Sequence, residues 1–349
     1  MLMVRKRIEE ITAYAPTTVD GLDLDLRDNV NLWGAPPHAM ATLQATAVAA
    51  VSSYPPVNAS ALTGAIATRL GVRSDEVVAG CGSDDLIDAC LRAVAAPGEI
   101  VAHADPSFAM APRFARLNGL IPIGVPLKAD GAADIDALLA TGARVIYLCS
   151  PNNPTGTITP EAEIRRCIRE APGIVVVDEA YAEFATARDW RREAPSMERV
   201  LVLRTFSKAW GLAGLRVGYG VGSRALVDAV VRSRGPYKVN ALAERAAATA
   251  VQVDEQWMLR AAAAAVACRE RLDALVRGRR GVRPWASEAN FVFWQVHGDA
   301  QALAARFAAR GIGVRALSAL PRIGDALRIG VAPWERLERL SPVIAECWP

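Results

Sequence analysis

Lys208 is one of only four lysines among the 40 lysines and arginines of this sequence. It lies in the segment RTFSKAWGLAGLRVGY, residues 204–219, where Thr205, Ser207 and Arg216 offer two hydroxyls and a positive charge to a phosphate-bearing ligand. A cofactor aldehyde needs a primary amine, which the guanidinium of arginine cannot supply. The other three lysines have no such neighbours. Lys208 is therefore the candidate amine of a covalently held cofactor.

A carboxylate upstream of Lys208 indicates the kind of cofactor. Asp178 follows the apolar residues 174–177 of GIVVVDEAY, so we expect it at the carboxyl end of a buried strand, where ligands bind in open α/β sheets. The ring of pyridoxal phosphate accepts electrons best when a carboxylate keeps its pyridine nitrogen protonated. An aspartate after a strand can also merely cap the next helix. Tyr181 and Lys208, at matching places downstream, favour the cofactor role and predict a pyridoxal-phosphate site.

The cofactor phosphate requires several hydrogen-bond donors. The segment GCGSDD, residues 80–85, offers the backbone amides of Gly82, Ser83 and Asp84 at the expected start of a helix, where anions bind well. Taken alone, a Gly-Ser pair before a helix is usually just a cap, and a lone arginine such as Arg216 is usually a surface charge. Their combination with Lys208 predicts a phosphate site.

Three further side chains are candidates for contacts with the cofactor ring. Asn153 lies in the polar turn SPNNPTG, residues 150–156, after another expected strand, and can donate to the ring hydroxyl, with Tyr181 as a second donor. Phe108, in DPSF, can stack on the ring, although ordinary core packing is the alternative for a lone phenylalanine.

Short apolar runs alternate with amphipathic segments between about residues 75 and 235, which predicts an α/β fold with a mostly parallel sheet. A chain of 349 residues exceeds the roughly 250 to 300 that one core supports, so we expect two unequal domains. We predict an N-terminal arm at 1–35, a large cofactor-binding domain at 36–248 and a smaller α/β domain at 249–349. The expected strands lie at 100–103, 145–149, 174–177, 200–203, 217–221, 292–296 and 327–331.

Composition argues against several other classes of protein. The net charge is only +3 and arginine clusters are scattered, without the basic stripe or recognition motif of a nucleic-acid-binding protein. The six cysteines lack metal-ligand spacing and the three histidines are far apart, so we expect neither a metal site nor a disulfide framework. No signal peptide or membrane span is evident. We therefore expect a cytoplasmic enzyme.

From residue 13 to residue 333 the sequence resembles the fold-type-I pyridoxal-phosphate aminotransferases, and within them the histidinol-phosphate aminotransferases. The match is most specific in RTFSKAWGLAGLRVGY, and SPNNPTG and VVVDEAY are strong as well. The resemblance implies Lys208 as the Schiff-base lysine. It also implies phosphate contacts from Thr205, Ser207 and Arg216 and ring contacts from Asn153, Asp178 and Tyr181.

The resemblance further implies a homodimer, because Tyr54 stands where the family has a tyrosine that reaches the phosphate of the partner subunit. Arg328 and Arg315 match two arginines that bind substrate anions, and bidentate anion recognition suits arginine. Tyr14 and Asn31 are expected on the substrate side as well.

One segment departs from the family pattern. Where the family usually reads Asn-Glu-Asn-Pro, this sequence has Val30 and Leu32 in place of Glu and Pro. We expect transfer of an amino group from an anionic donor, first of all histidinol phosphate, with the 2-oxoglutarate/glutamate pair on the acceptor side. The alternatives are an aromatic or secondary-metabolite aminotransferase and an amino-acid phosphate decarboxylase on the same fold. A non-catalytic regulator is disfavoured, because Lys208 is present and no DNA-binding domain is appended.

Overall fold

The computed structural model describes residues 6–13 and 21–348. Within this part of the chain thirteen strands alternate with helices. The strands are β1 (Leu24–Asp25), β2 (Val77–Gly80), β3 (Ile100–Asp105), β4 (Ile121–Pro126), β5 (Val145–Cys149), β6 (Ile174–Asp178), β7 (Val200–Thr205), β8 (Gly218–Gly222), β9 (Val282–Pro284), β10 (Phe291–Val296), β11 (Ile312–Gly313), β12 (Arg315–Leu320) and β13 (Gly324–Gly330).

The helices of the described residues range from one turn to the 20 residues of the longest. They are α1 (Lys6–Glu9), α2 (Pro37–Gln44), α3 (Val48–Val51), α4 (Ser60–Leu70), α5 (Gly82–Val94), α6 (Met110–Leu117), α7 (Ile135–Ala140), α8 (Glu161–Glu170), α9 (Arg224–Ser233), α10 (Ala241–Val253), α11 (Glu255–Ala274), α12 (Ala300–Ala308), α13 (Trp334–Leu337) and α14 (Leu340–Cys347). No helix in the described ranges is long and apolar enough to cross a membrane.

The large sheet has seven strands in the order β2-β8-β7-β6-β5-β3-β4. Strands β7, β6, β5, β3 and β4 run parallel, and β8 pairs antiparallel with both β7 and β2. The central strands are mostly apolar because both faces are covered: Val176 packs on the side of α5 and α9, and Val175 and Val177 on the side of α8. The predicted α/β fold with a mostly parallel sheet is confirmed.

The second sheet is antiparallel, with the order β12-β13-β10-β9, and β1 pairs with β11 in a separate two-stranded ribbon. Arg315 on β12 and Arg328 on β13 lie directly opposite each other in this sheet. The division into an arm and two domains stays a prediction, and its boundary at residue 248 falls inside α10.

Helix starts test the capping rules at two serines. Ser223 caps α9, since its hydroxyl accepts a hydrogen bond from the Leu226 amide at 3.4 Å. Ser83 does not cap α5, because that helix begins at Gly82, with Cys81 as its N-cap residue, and Ser83 lies inside the first turn.

Candidate active site

A cavity of about 960 Å³ opens at the carboxyl ends of β3, β5, β6 and β7. Parallel strands end at a common edge, so polar residues that follow different strands meet there. Among the cavity's lining residues are Ser83, Asp84, Phe108, Asn153, Asp178, Tyr181, Thr205, Ser207, Lys208, Arg216, Arg315 and Arg328, all of them sequence-predicted site residues.

Three other predicted residues are not among the described residues that line this cavity, and a fourth cannot be placed relative to it. Gly82 lies directly beside it, at the start of α5. Tyr54 is on the surface, 84% exposed, with its ring stacked on Tyr237 at 4.7 Å between centroids. Asn31 donates from Nδ2 to the Ala209 carbonyl at 2.9 Å, so it supports the neighbour of Lys208. Tyr14 lies outside the described residues.

Asp178 ends β6 and is buried. One carboxylate oxygen accepts the Ala180 amide at 3.0 Å, and the other accepts the hydroxyl of Tyr147 at 2.5 Å. Burial raises the pKa of Asp178 to about 6, and the two hydrogen bonds oppose that rise because they stabilise the charged form. The carboxylate is thus held in a fixed orientation, ready to accept a hydrogen bond from a protonated ring nitrogen.

Lys208 reaches the same cavity from the loop after β7. Its Nζ donates to the Asp28 carbonyl at 2.9 Å and lies 5.7 Å from the centroid of the Tyr181 ring. Burial, followed by the charge of Arg328, lowers the pKa of Lys208 to about 8. At pH 7 about a tenth of this amine would be uncharged, far more than for an ordinary lysine, and the uncharged form suits both attack on a carbonyl and proton transfer.

Tyr181 and Asn153 lie near Arg328 at the mouth between the two sheets. Burial raises the pKa of Tyr181 to about 12, so its hydroxyl remains a donor at neutral pH, and it also accepts from Asn29 Nδ2 at 3.2 Å. Arg328 is buried, and its guanidinium donates to Asn153 Oδ1 and to the Arg27 carbonyl, both at 2.5 Å. A buried arginine held from two sides is well oriented to bind an anion.

The start of α5 forms a cradle for an anion. Gly82 has a φ of +78°, and a Cβ added there would lie 2.9 Å from Arg216 Nη2, so only glycine leaves that space open. Arg216 donates to the Ser207 hydroxyl at 3.3 Å, and the Thr205 hydroxyl accepts the Ser207 amide at 3.1 Å. Free backbone amides of a helix start, hydroxyls and one guanidinium are the donor set that a phosphate requires.

Asp84 adds a negative charge to the cradle. Its carboxylate lies 3.6 Å from Arg216 Nη2, and burial raises its pKa, while Arg216 and Lys208 oppose that rise. The guanidinium of Arg216 therefore lies against Gly82 and close to a carboxylate.

Residues 26–29 form a strap across the site, and each of their four carbonyls has a partner. Leu26 accepts from the Gly330 amide at 2.8 Å, and Asn29 accepts from Asn290 Nδ2 at 2.9 Å. The two carbonyls between them accept from Arg328 and Lys208. The strap therefore joins the antiparallel sheet to the lysine of the large sheet.

Sequence reasoning missed Tyr147, Asp28 and Asn29. Tyr147 is the one polar side chain in the apolar run of β5, and this was the signal that could have drawn attention to it. Asp28 and Asn29 line the cavity, whereas the prediction took only Asn31 from their segment. Among the residues described, no group of three His, Cys, Asp or Glu side chains is placed to hold a metal ion.

Known proteins match this chain along most of its length. The pattern of the family described as aminotransferase class I and II matches residues 23–341. A histidinol-phosphate aminotransferase of Erythrobacter litoralis (strain HTCC2594) is 36% identical over 359 residues, covering 98% of this chain and 96% of the relative. An aromatic amino acid aminotransferase of Thermobifida fusca (strain YX) is 36% identical over 345 residues, covering 94% and 92%. The chain belongs to the aminotransferase class I and II family.

The fold of this aminotransferase has solved counterparts. The crystal structure of histidinol-phosphate aminotransferase from Sinorhizobium meliloti, in complex with pyridoxal-5′-phosphate, has a TM-score of 0.91 at 24% identity and covers 99% of each chain. The predicted fold type I is thus confirmed. Pyridoxal phosphate is the cofactor of this family, and the cavity fits it, since a buried carboxylate, a lysine of lowered pKa and an anion cradle share one space.

Proposed function

We propose that this aminotransferase moves an amino group from an anionic amine donor to a 2-oxo acid, with histidinol phosphate as the first candidate donor and 2-oxoglutarate as the acceptor. The observation that supports it best is the buried Arg328 beside Asn153, in the cavity that also holds Lys208 and Asp178. The two relatives described above are named for histidinol phosphate and for aromatic amino acids, which both carry an anionic group and a ring.

The proposed cofactor contacts follow from the cavity. The phosphate would take the start of α5 with Ser83, together with the Ser207 hydroxyl and Arg216. The ring nitrogen would face Asp178, and Phe108 and Tyr181 line the space for the ring. When bound, pyridoxal phosphate supplies an aldehyde for the donor amine and an electron-accepting ring.

The side chains of the site would then divide the work. Lys208 Nζ would hold the cofactor aldehyde, and once the donor amine had taken its place the free Nζ would accept the proton from the donor's α-carbon and pass it on. The Asp178 carboxylate would accept the hydrogen bond of the protonated ring nitrogen, and its fixed orientation would avoid reorganisation as charge develops. Arg328 would bind the donor anion and so fix the orientation of the donor in the cavity.

The test is to replace Arg328 by alanine and compare two donors. A charge-assisted contact is worth roughly 1.5 to 3 kcal/mol, so kcat/KM for histidinol phosphate should fall about tenfold to a hundredfold, and for an uncharged amine far less. Arg283→Ala, which removes an exposed arginine of β9 that does not line the cavity, is the control and should change neither. Equal losses on both donors would contradict the assignment of Arg328.

An aromatic amino acid is the second candidate donor, because the second arginine of the cavity is already paired with Asp28 and because Val30 and Leu32 replace polar or rigid residues of the family pattern. Faster turnover of phenylalanine than of histidinol phosphate by the unaltered enzyme would favour it. The decarboxylase alternative predicts released carbon dioxide in place of a 2-oxo product, and one assay for both products separates the two reactions.

We also propose a homodimer with shared sites, a cytoplasmic location and a role in amino-acid biosynthesis. These three proposals rest on the sequence and on its resemblance to the family. For the dimer, the surface around Tyr54 is unusually apolar: Val48 and Tyr54 are each 84% exposed and Val51 is 63% exposed. Exposed apolar side chains grouped in this way are typical of a protein interface.

A further inference from the structure

The carboxylate of Asp28 occupies one of the two arginines expected to bind substrate anions. Arg315 Nη2 donates to Asp28 Oδ1 at 2.7 Å, and both residues line the cavity. The Asp28 side chain is 63% exposed and that of Arg315 only 26%. The guanidinium of Arg315 is thus largely enclosed by the wall of the cavity, whereas the carboxylate of Asp28 is mostly exposed and has room to adopt another rotamer.

The arginine is placed for a second anion beside the one bound by Arg328. The two arginines face each other directly on β12 and β13, a position that brings side chains together on one face of a sheet. Arg315 also carries a buried Nε without a hydrogen-bond partner among the described residues. Arg315 therefore keeps a donor for a second anionic group, next to the position proposed for the first one at Arg328.

An aminotransferase must accept two different substrates in this one cavity. Histidinol phosphate and an aromatic amino acid each have one anionic group and a ring, whereas 2-oxoglutarate has two carboxylates. An unpaired Arg315 would face the donor's ring as an uncompensated charge, which is costly away from water. With Asp28 in contact, the same place is neutral overall.

We propose that Asp28 is a specificity-determining residue, a tethered counter-ion that pairs with Arg315 while the ring-bearing donor is bound and yields Arg315 to the distal carboxylate of the 2-oxo acid. This inference rests on the proposed function, because it concerns the two substrates of that reaction. The other nearby carboxylate is not a competitor: Asp25 accepts two hydrogen bonds from the Arg27 guanidinium, at 2.8 and 2.7 Å.

The exchange of Asp28 for a substrate carboxylate at Arg315 should have a modest but measurable effect on the affinity for a dicarboxylate. A largely exposed carboxylate regains water when it leaves its partner, and such ion pairs are individually weak. Removing the charge of Asp28 should therefore tighten a dicarboxylate by about threefold to tenfold, which is the competition that Asp28 exerts. A monocarboxylate bound by Arg328 alone should be unaffected.

Binding of non-reacting acids to the holoenzyme tests this directly. Glutarate has two carboxylates at the spacing of 2-oxoglutarate, and pentanoate has one on a chain of equal length. Dissociation constants for both would be measured by calorimetry on the wild type, Asp28→Asn, Arg315→Ala and Asp23→Asn. Asp23 is the matched control, since it pairs with Arg339 at 3.0 Å and is 66% exposed but does not line the cavity.

We expect Asp28→Asn to bind glutarate about threefold to tenfold more tightly and pentanoate equally, with Asp23→Asn unchanged for both. Arg315→Ala should reduce glutarate affinity to that of pentanoate. Unchanged or weaker glutarate binding in both Asp28→Asn and Asp28→Ala would overturn the inference. Transamination by the unaltered enzyme is assayed separately. If the enzyme transaminates but the binding result fails, only the inference about Asp28 is wrong. If the enzyme does not transaminate, the proposed function is contradicted, whatever the dissociation constants of glutarate and pentanoate are.

Discussion

Replacing Tyr147 by phenylalanine should shift the pH dependence of catalysis, because it removes the hydroxyl that donates to Asp178. Both side chains are buried, and the contact measures 2.5 Å. A hydrogen bond to a charged group is worth roughly 1.5 to 3 kcal/mol, which corresponds to about one to two pKa units. The hydroxyl stabilises the carboxylate form, so its loss should raise the pKa of Asp178 further above the value of about 6 that burial produces.

The assay is kcat/KM against pH for the holoenzyme. Since the ionised carboxylate is the active form, the acidic limb of the Tyr147→Phe profile should move upward by about one to two pH units, and activity should recover at higher pH. Tyr219→Phe is the matched control: Tyr219 is also buried in the large sheet, but its hydroxyl contacts Arg191 and it does not line the cavity. It should leave the limb in place.

One result would refute this reasoning. If the Tyr147 variant loses activity by the same factor at every pH while its acidic limb stays where the wild type has it, the hydroxyl does not tune Asp178. The tyrosine would then act only through packing of its ring.

Three further changes test the remaining assignments. Lys208→Ala should lose the visible absorbance of the bound cofactor together with turnover, whereas Lys238→Ala, whose amine pairs with Asp85 outside the cavity, should keep both. Asp178→Ala should retain part of the cofactor but abstract the donor's proton far more slowly, and near-normal turnover would reduce Asp178 to a structural role. Inactive Lys208→Ala and impaired Tyr54→Ala subunits should recover activity when refolded together, and verified heterodimers without recovery would argue against shared sites.

The strand ends could be predicted from the sequence because the chemistry changes abruptly there. Long apolar runs stop at Asp178 and shortly before Asn153, and parallel strands necessarily bring such stops to one edge. In the large sheet, strands β2 and β4 were missed, since the first has four residues and the second contains two prolines and a glycine, which are signals for turns. Strands β1, β9, β11 and β12, outside that sheet, were missed as well.

Contacts between side chains that are far apart in the sequence could not be predicted from local sequence patterns. The contact between Asp28 and Arg315 joins residues 287 positions apart, and only the packing of the strap against the antiparallel sheet brings them together. The partnership of Tyr147 with Asp178 depends in the same way on which face of two adjacent strands each side chain occupies. Patterns of hydrophobicity determine that face but not the individual partner.

The four carbonyls of residues 26–29 bear on how this enzyme can evolve. Main-chain oxygens hold the strap to Gly330, Arg328, Lys208 and Asn290, so these contacts do not depend on which side chains the strap carries. Asp28 can therefore be exchanged while the frame around the lysine persists. Selection can alter substrate preference at such a position by single substitutions, without first passing through an enzyme whose catalytic groups have lost their support.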